Sequence, residues 1–379
     1  MIPLYTVLRK KSWHPRKCPL DFSEGGMEII MATNNNGATT KIPGISGAAL
    51  KWIALACMMI DHVGALLLLP MYNDQLRAIT AGLTQEQMAM TSLGDYPGLY
   101  ALYMIYWLCR LIGRLAFPIY AFLLVEGFRH TSNTWKYFLR LLIFAIITEV
   151  PFDLAVFGKV GFETFSYQNI LLMMALGVLC LIIIEKVRKI EKFTLPFKLL
   201  AFVSYFVFGV MVVYLVCTST VGLLFVERPA DQMQILLFTN SEFLMYAAFG
   251  GCIAATIFLF LSMKRDQVKM MQFGLSAAVG FAFMIISDLT MTDFHAWGIA
   301  AILIFYFMSN GNMVKKAGFG SAVLIGFDFL QMAGIAATLP ISKYNGERGK
   351  QNKYFFYILY PVQFLLFFGL RELINVFIK

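Results

Sequence analysis

A chain of 379 residues that is 59% hydrophobic, only 14% charged and has a mean hydropathy of +0.70 is not an ordinary soluble globule. The formal charge of +9 does not point to nucleic acid, because Lys and Arg gather in short loops between apolar runs, as in polytopic membrane proteins. Six cysteines are scattered, mostly inside apolar runs, without metal-ligand or disulfide spacing, so no metal is expected.

Residues 1–48 stand apart from the rest. RKKSWHPRK is basic and TNNNGATTKIPG is a polar linker, and together they read as a disordered cytoplasmic tail. Met27 and Met31 are alternative starts. Residues 49–379 form one transmembrane domain, an all-α polytopic helix bundle of about ten spans in a cell membrane. The spans are expected near 49–69, 101–127, 135–157, 168–186, 197–225, 242–263, 270–288, 295–309, 318–339 and 354–377, the second and fifth long enough to tilt or break. Loops 128–136, 187–198, 264–269 and 310–317 are basic, and those between them are not. The alternation places both termini in the cytoplasm. Loop 340–353, PISKYNGERGKQNK, breaks it: by the count it lies outside, yet it holds Lys343, Arg348, Lys350 and Lys353. Either a helix is miscounted or this loop meets an anion.

Several ionisable residues sit inside the apolar runs. Each costs roughly 2.5–3.5 kcal/mol at a helix centre before pairing, and such residues by default mark a functional site. In the first span Lys51 lies at the inner surface. His62 is eleven residues on, about 16 Å deeper and on the same face. Asp61 points about 100° away from it. In the hairpin 110–153 antiparallel arms level Arg114 with Glu149 and Arg110 with Asp153. Two readings stay open: direct ion pairs that make insertion tolerable, or arginines that hold an anion such as an acyl-transfer oxyanion. Asp288 and His295 lie at outer helix ends, and Asp328 shares a face with Gln331 near mid-membrane. Glu126, near the inner end, reads as a surface acid. Pro361 should kink the last span. The polar groups gather toward one side, which suggests a pocket open outward.

The runs LKWIALACMMIDHVGA, RLIGRLAFPIYAFLLVEGFRHTSN, KYFLRLLIFAIITEVPFDLA, QNILLMMALG, WGIAAILIFY, YNGERGK and KYFFYILYPVQ resemble the TraX family over about residues 48–379, weakly near 195–265. That family contains the conjugative-pilin N-acetylase and is related to acyltransferase-3 membrane enzymes. The resemblance implies acyl transfer from cytoplasmic acetyl-CoA to an exported peptide amine or glycan hydroxyl. It implies that Lys51 and His62 work as a pair, with Lys in place of the usual Arg. On this reading His62, helped by Asp61, deprotonates the acceptor. Lys51, Arg110, Arg114, Glu149, Asp153, Asp288 and Asp328 hold donor or substrate. The chain departs from the family where a YP-x-His motif reads Gln363, which cannot shuttle a proton. Two other functions fit the same charges: a transporter or flippase for a small anion, and a non-catalytic partner of a surface-assembly system.

Overall fold

The computed structural model describes residues 44–83, 93–160, 167–224, 250–251, 253–255, 257, 267–308 and 311–378. Within them the chain is all-helical, with two isolated bridges, Ile45 to Tyr344 and Gln168 to Thr292. Helix α1, Gly47–Val63, starts at Ser46, whose hydroxyl accepts from Ala49 N. It passes through a π-helical turn, Gly64–Leu68, into α2, Leu69–Thr80. Helix α3, Pro97–Gly113, opens with a proline, where a missing N–H costs nothing. It is followed after Arg114 and Leu115 by α4, Ala116–His130. Helix α5, Thr134–Phe157, is capped by Asn133 and stopped by Gly158 at φ 71°. Then come α6, Ile170–Val187; α7, Leu195–Leu224; α8, Gln267–Leu289; α9, His295–Phe307; α10, Met313–Ala322; α11, Thr338–Ser342; and α12, Lys353–Ile378.

Five helical stretches among the described residues are long and apolar enough to cross a bilayer: Gly47–Thr80, Pro97–His130, Ile170–Val187, Gln267–Leu289 and Tyr354–Phe377. Helix α5 has the length, with Lys136, Arg140, Glu149 and Asp153 along it. The outer face of the bundle presents Leu108, Ile143, Ile146 and Leu366 to lipid, while Phe122, Phe128, Phe305 and Met173 are fully buried. Rings of Tyr72, Tyr103, Tyr106 and Trp107 meet between α2 and α3, as in the aromatic belt of a membrane interface. The chain is a multi-pass membrane protein.

The bundle has two unlike ends. At one, Gly47 N donates to Glu347 O at 2.8 Å, Phe122 meets Tyr344, Lys186 lies over Trp135, and Arg188 bonds Tyr306. The basic loops therefore collect there. At the other, Arg371 bonds the carbonyls of Leu154 and Ala155, and Gln168 bridges the turn between α8 and α9.

The stretch expected as one span over 318–339 is instead a helical hairpin. Helix α10 rises from the basic end and tightens into a 3₁₀ turn, Val323–Gly326. Phe327 reaches the far end, with its ring 5.4 Å from Phe294 and 5.8 Å from His295. Asp328 then breaks the helix in extended conformation and caps Leu330 N. The chain returns as a 3₁₀ helix, Phe329–Ala337, and α11. At about 2.0 Å per 3₁₀ residue this short arm covers most of the bilayer. Two expectations change as a result. Loop 340–353 lies at the basic end with the other basic loops, so the miscounted helix is the reason for its charge. Helix α12 then starts where α1 starts and runs parallel to it, so the described helices do not begin and end on one side as expected. Asp328 is at the hairpin tip rather than mid-membrane. Helix α12 continues through Pro361 as one helix. The expected span 242–263 falls mainly outside the described residues.

Candidate functional site

A cavity of about 1020 Å³ runs along the bundle axis between α1, α4, α5, α6 and α12. Its basic end is lined by Lys51, His130, Lys136, Arg140 and Arg348. Its far end is lined by Asp61, His62, Arg110, Arg114, Asp293 and Asp328. Between the two its wall is apolar and aromatic, with Leu55, Phe117, Tyr120 and Phe364. Lys51 and His62 share this wall, as their spacing predicts. The Nζ of Lys51 stands 5.5 Å from the centre of the Phe356 ring.

The expected ion pairs of the hairpin are not formed. Arg110 Nη1 donates to Asp61 Oδ2 at 2.7 Å, on another helix. Glu149 accepts from Asn169 Nδ2, which also donates to Ala145 O, while Asn169 caps α6 through Leu171 N. Glu149 thus braces α5 against α6, Asp153 is buried on the same helix, and neither lines the cavity. Helix α1 lies against α3 and α4 and brings its own carboxylate to Arg110 first. Gly113 makes room, because a Cβ there would overlap the Asp61 carboxyl group. Gly113→Ala is accordingly expected to push Asp61 off Arg110. Thermal melting of the detergent-solubilised variant should show the loss of that pair, with a smaller drop than for Asp61→Ala.

The π-helical turn follows Asp61 and His62 directly, and single π-turns recur at functional sites. The approach there is close: a Cβ on Gly64 would sit 2.9 Å from Cys109 Cβ. His62 is half-buried between Phe364 and Phe367, with ring centres 4.9 and 6.2 Å away, and its Nδ1 has no hydrogen-bond partner among the described residues. Gln363, the residue that departs from the motif, is buried one position before Phe364, with its Nε2 3.8 Å from Met58 Sδ. Arg114 is buried, faces the carboxylates of Asp61, Asp293 and Asp328, and its Nε has no hydrogen-bond partner among the described residues. Asp288 does not reach the cavity: it is half exposed, caps Ala296 N at 2.8 Å and faces His295 at 3.6 Å. Glu126 is no surface acid either. Its carboxylate binds the buried Lys316 at 3.0 Å and lies 3.6 Å from His130.

Four lining residues escaped the sequence reading. Arg140 and Lys136 looked like ordinary loop-side cations. Asp293 sits in a short turn between helices, and its partner Tyr167 in a stretch with no pattern. Tyr167 Oη donates to Asp293 Oδ1 at 2.5 Å. Burial pushes the Asp293 carboxyl up from its ordinary range, while the Tyr167 hydroxyl and Arg114 draw it back. No group of three metal-ligating side chains exists among the described residues.

A family profile described as TraX protein matches residues 46–278, more than half of the chain. A curated relative, "Probable fimbrial assembly protein FimC, serogroup H1" of Dichelobacter nodosus, is 33% identical over 142 residues, which is 34% of this chain and 54% of the relative. The chain therefore spans about half the length of the curated relative it matches. No solved structure matches it. The profile covers both arginines, Asp61, His62 and the charged hairpin around one cavity, and on that match the chain belongs to the TraX family.

Proposed function

We propose that this protein is a membrane-embedded acyltransferase that moves an acetyl group from acetyl-CoA to an exported acceptor. The observation that carries the reading is the single cavity, basic at one end and mixed in charge at the other. The basic end faces the cytoplasm, as the gathering of its loops' Lys and Arg favours. Lys51, Lys136, Arg140 and Arg348 suit the phosphates of the donor, since guanidinium forks and ammonium groups bind such oxygens well. The acetyl thioester then extends along the apolar wall toward His62. Arg114, with an Nε still to be satisfied, faces the place where the oxyanion develops. Asp61 fixes Arg110 beside it. His62 handles the proton on the acyl-transfer path. A fimbrial-assembly relative favours an acceptor that belongs to a surface-assembly system, a peptide amine or a glycan hydroxyl.

The test is acetyl transfer in membranes carrying the tagged protein. Arg140→Gln and Arg348→Gln are each expected to raise the KM for labelled acetyl-CoA on the order of tenfold, the worth of one charge-assisted hydrogen bond. The kcat should stay near wild type. An unchanged KM in both variants would remove the donor from the basic end. Flux of an anion through proteoliposomes without acetyl-CoA would instead favour a transporter.

A further inference from the structure

The turn between α8 and α9 is built in an unusual way. Met291, Phe294 and His295 adopt left-handed φ of 50°, 61° and 48°, a region that side-chain-bearing residues enter rarely. Three of them in five residues persist only because the surroundings over-determine the turn. Gln168 N donates to Met291 O at 2.8 Å and Asp293 N to Gln168 O at 3.1 Å. Ser287 and Thr292 hydroxyls pair at 2.6 Å, and Ser287 also donates to His295 O. The Phe294 ring stacks on Phe117 at 4.1 Å. The product of this bracing is a half-buried carboxylate, Asp293, on the cavity wall, with Tyr167 holding Oδ1 and Arg114 facing it.

We propose that Asp293 is a catalytic residue, accepting the proton of the incoming nucleophile while Arg114 opposite holds the oxyanion. The inference rests on the acyl-transfer reading above. A donor-only guanidinium and an acceptor-only carboxylate facing each other suit a transition state that carries both an oxyanion and an ionising N–H or O–H. In the step, the nucleophile's lone pair forms a bond to the acyl carbon as its proton passes to Asp293. The carbonyl π pair moves onto oxygen, beside Arg114. On collapse the oxygen pair returns to re-form the carbonyl, the C–S bond breaks, and its electrons leave with the thiolate. The proton collected by Asp293 ends on the thiolate, so the balance is one thioester and one N–H or O–H for one amide or ester and one thiol. Tyr167 is a positioning residue that holds the carboxylate's orientation.

The groups that set this carboxylate's titration are Arg114 from the α3–α4 break, Asp61 from α1, Tyr167 ahead of α6 and Tyr360 on α12. Burial raises it and the Tyr167 hydrogen bond lowers it. The acid limb of kcat should therefore lie above the ordinary carboxylate range, and Tyr167→Phe should move it to still higher pH. Release of CoA thiol from acetyl-CoA is measured in vesicles supplied with a short free-amine peptide or a hexose as acceptor. Asp293→Asn is expected to lower kcat about a hundredfold or more without changing the KM for acetyl-CoA. Tyr167→Phe, which loses one hydroxyl and no carbon, keeps the question open should Asp293→Asn fail to accumulate. Wild-type transfer with an undiminished Asp293→Asn, or with an unmoved acid limb in Tyr167→Phe, overturns the role of Asp293 alone. Absence of acetyl transfer by the wild-type protein overturns the acyl-transfer reading and this inference with it.

Discussion

Glu126→Ala is expected to destabilise the protein by about 3–5 kcal/mol, the cost of leaving a buried charge without its partner. The stranded group is Lys316, only 1% exposed, whose Nζ donates to Glu126 Oε1 at 3.0 Å and lies 4.7 Å from the centre of the Phe122 ring. This contact ties α4 to α10, the ascending arm of the 313–342 hairpin. Its loss should therefore free the arm as well as uncover a charge. The double variant Glu126→Leu with Lys316→Met removes both charges and keeps similar volume. Such replacements of a buried pair are commonly neutral or stabilising. Thermal melting of the detergent-solubilised protein, followed by size-exclusion chromatography, separates the outcomes. A single variant as stable as the double would mean that Lys316 finds water when its partner goes.

Asp61→Ala is the second large effect. It strands Arg110, whose side chain is about a fifth exposed toward the cavity, so the loss should fall near the lower end, about 3 kcal/mol. The exchange Asp61→Arg with Arg110→Asp should recover much of that abundance. On the proposed acyl-transfer reading it should not recover acetyl transfer, because the positive charge then leaves the side of the cavity where Arg114 stands. Restored abundance with full transfer would reduce the pair to a structural role. The exchange of Arg114 with Glu149, by contrast, should rescue nothing, since those residues brace different contacts.

Much of the helix bundle was legible because apolar runs of bilayer length announce themselves. The helices over 135–157, 168–186, 197–225, 270–288, 295–309 and 354–377 lie within a few residues of where composition puts them, whereas the first runs on to Thr80 and the second breaks after Gly113. The hairpin at 313–342 was not legible as such. Its turn is one extended residue, Asp328, inside a run apolar enough to read as a single crossing, and 3₁₀ geometry lets each arm be shorter than an α-helix would need. The intramembrane charges of α1 and α3 stand out in the sequence, and Asp61, His62, Arg110 and Arg114 line one cavity. Their partners do not stand out, because depth along a helix sets a level but not a face. Arg110 turned to Asp61 where Gly113 let it. Asp293 and Tyr167 escaped because a loop acid and a lone tyrosine carry no spacing that marks them. Only the folded turn shows three left-handed residues converging on one carboxylate.

The π-helical turn at Gly64–Leu68 has a longer reach than its five residues suggest. A π-turn holds about one residue more than an α-turn, so it acts as a phase shifter within a continuous rod. Upstream, the helix aims Asp61 and His62 inward. Downstream, the same rod presents Tyr72 to Tyr103 at the membrane interface. The shift uncouples these two alignments. The cavity and the interfacial anchor can each keep its own angular setting although one backbone carries both, so aromatic residues of α2 can change their facing by an inserted or deleted residue there without turning the cavity's charges away from Arg110.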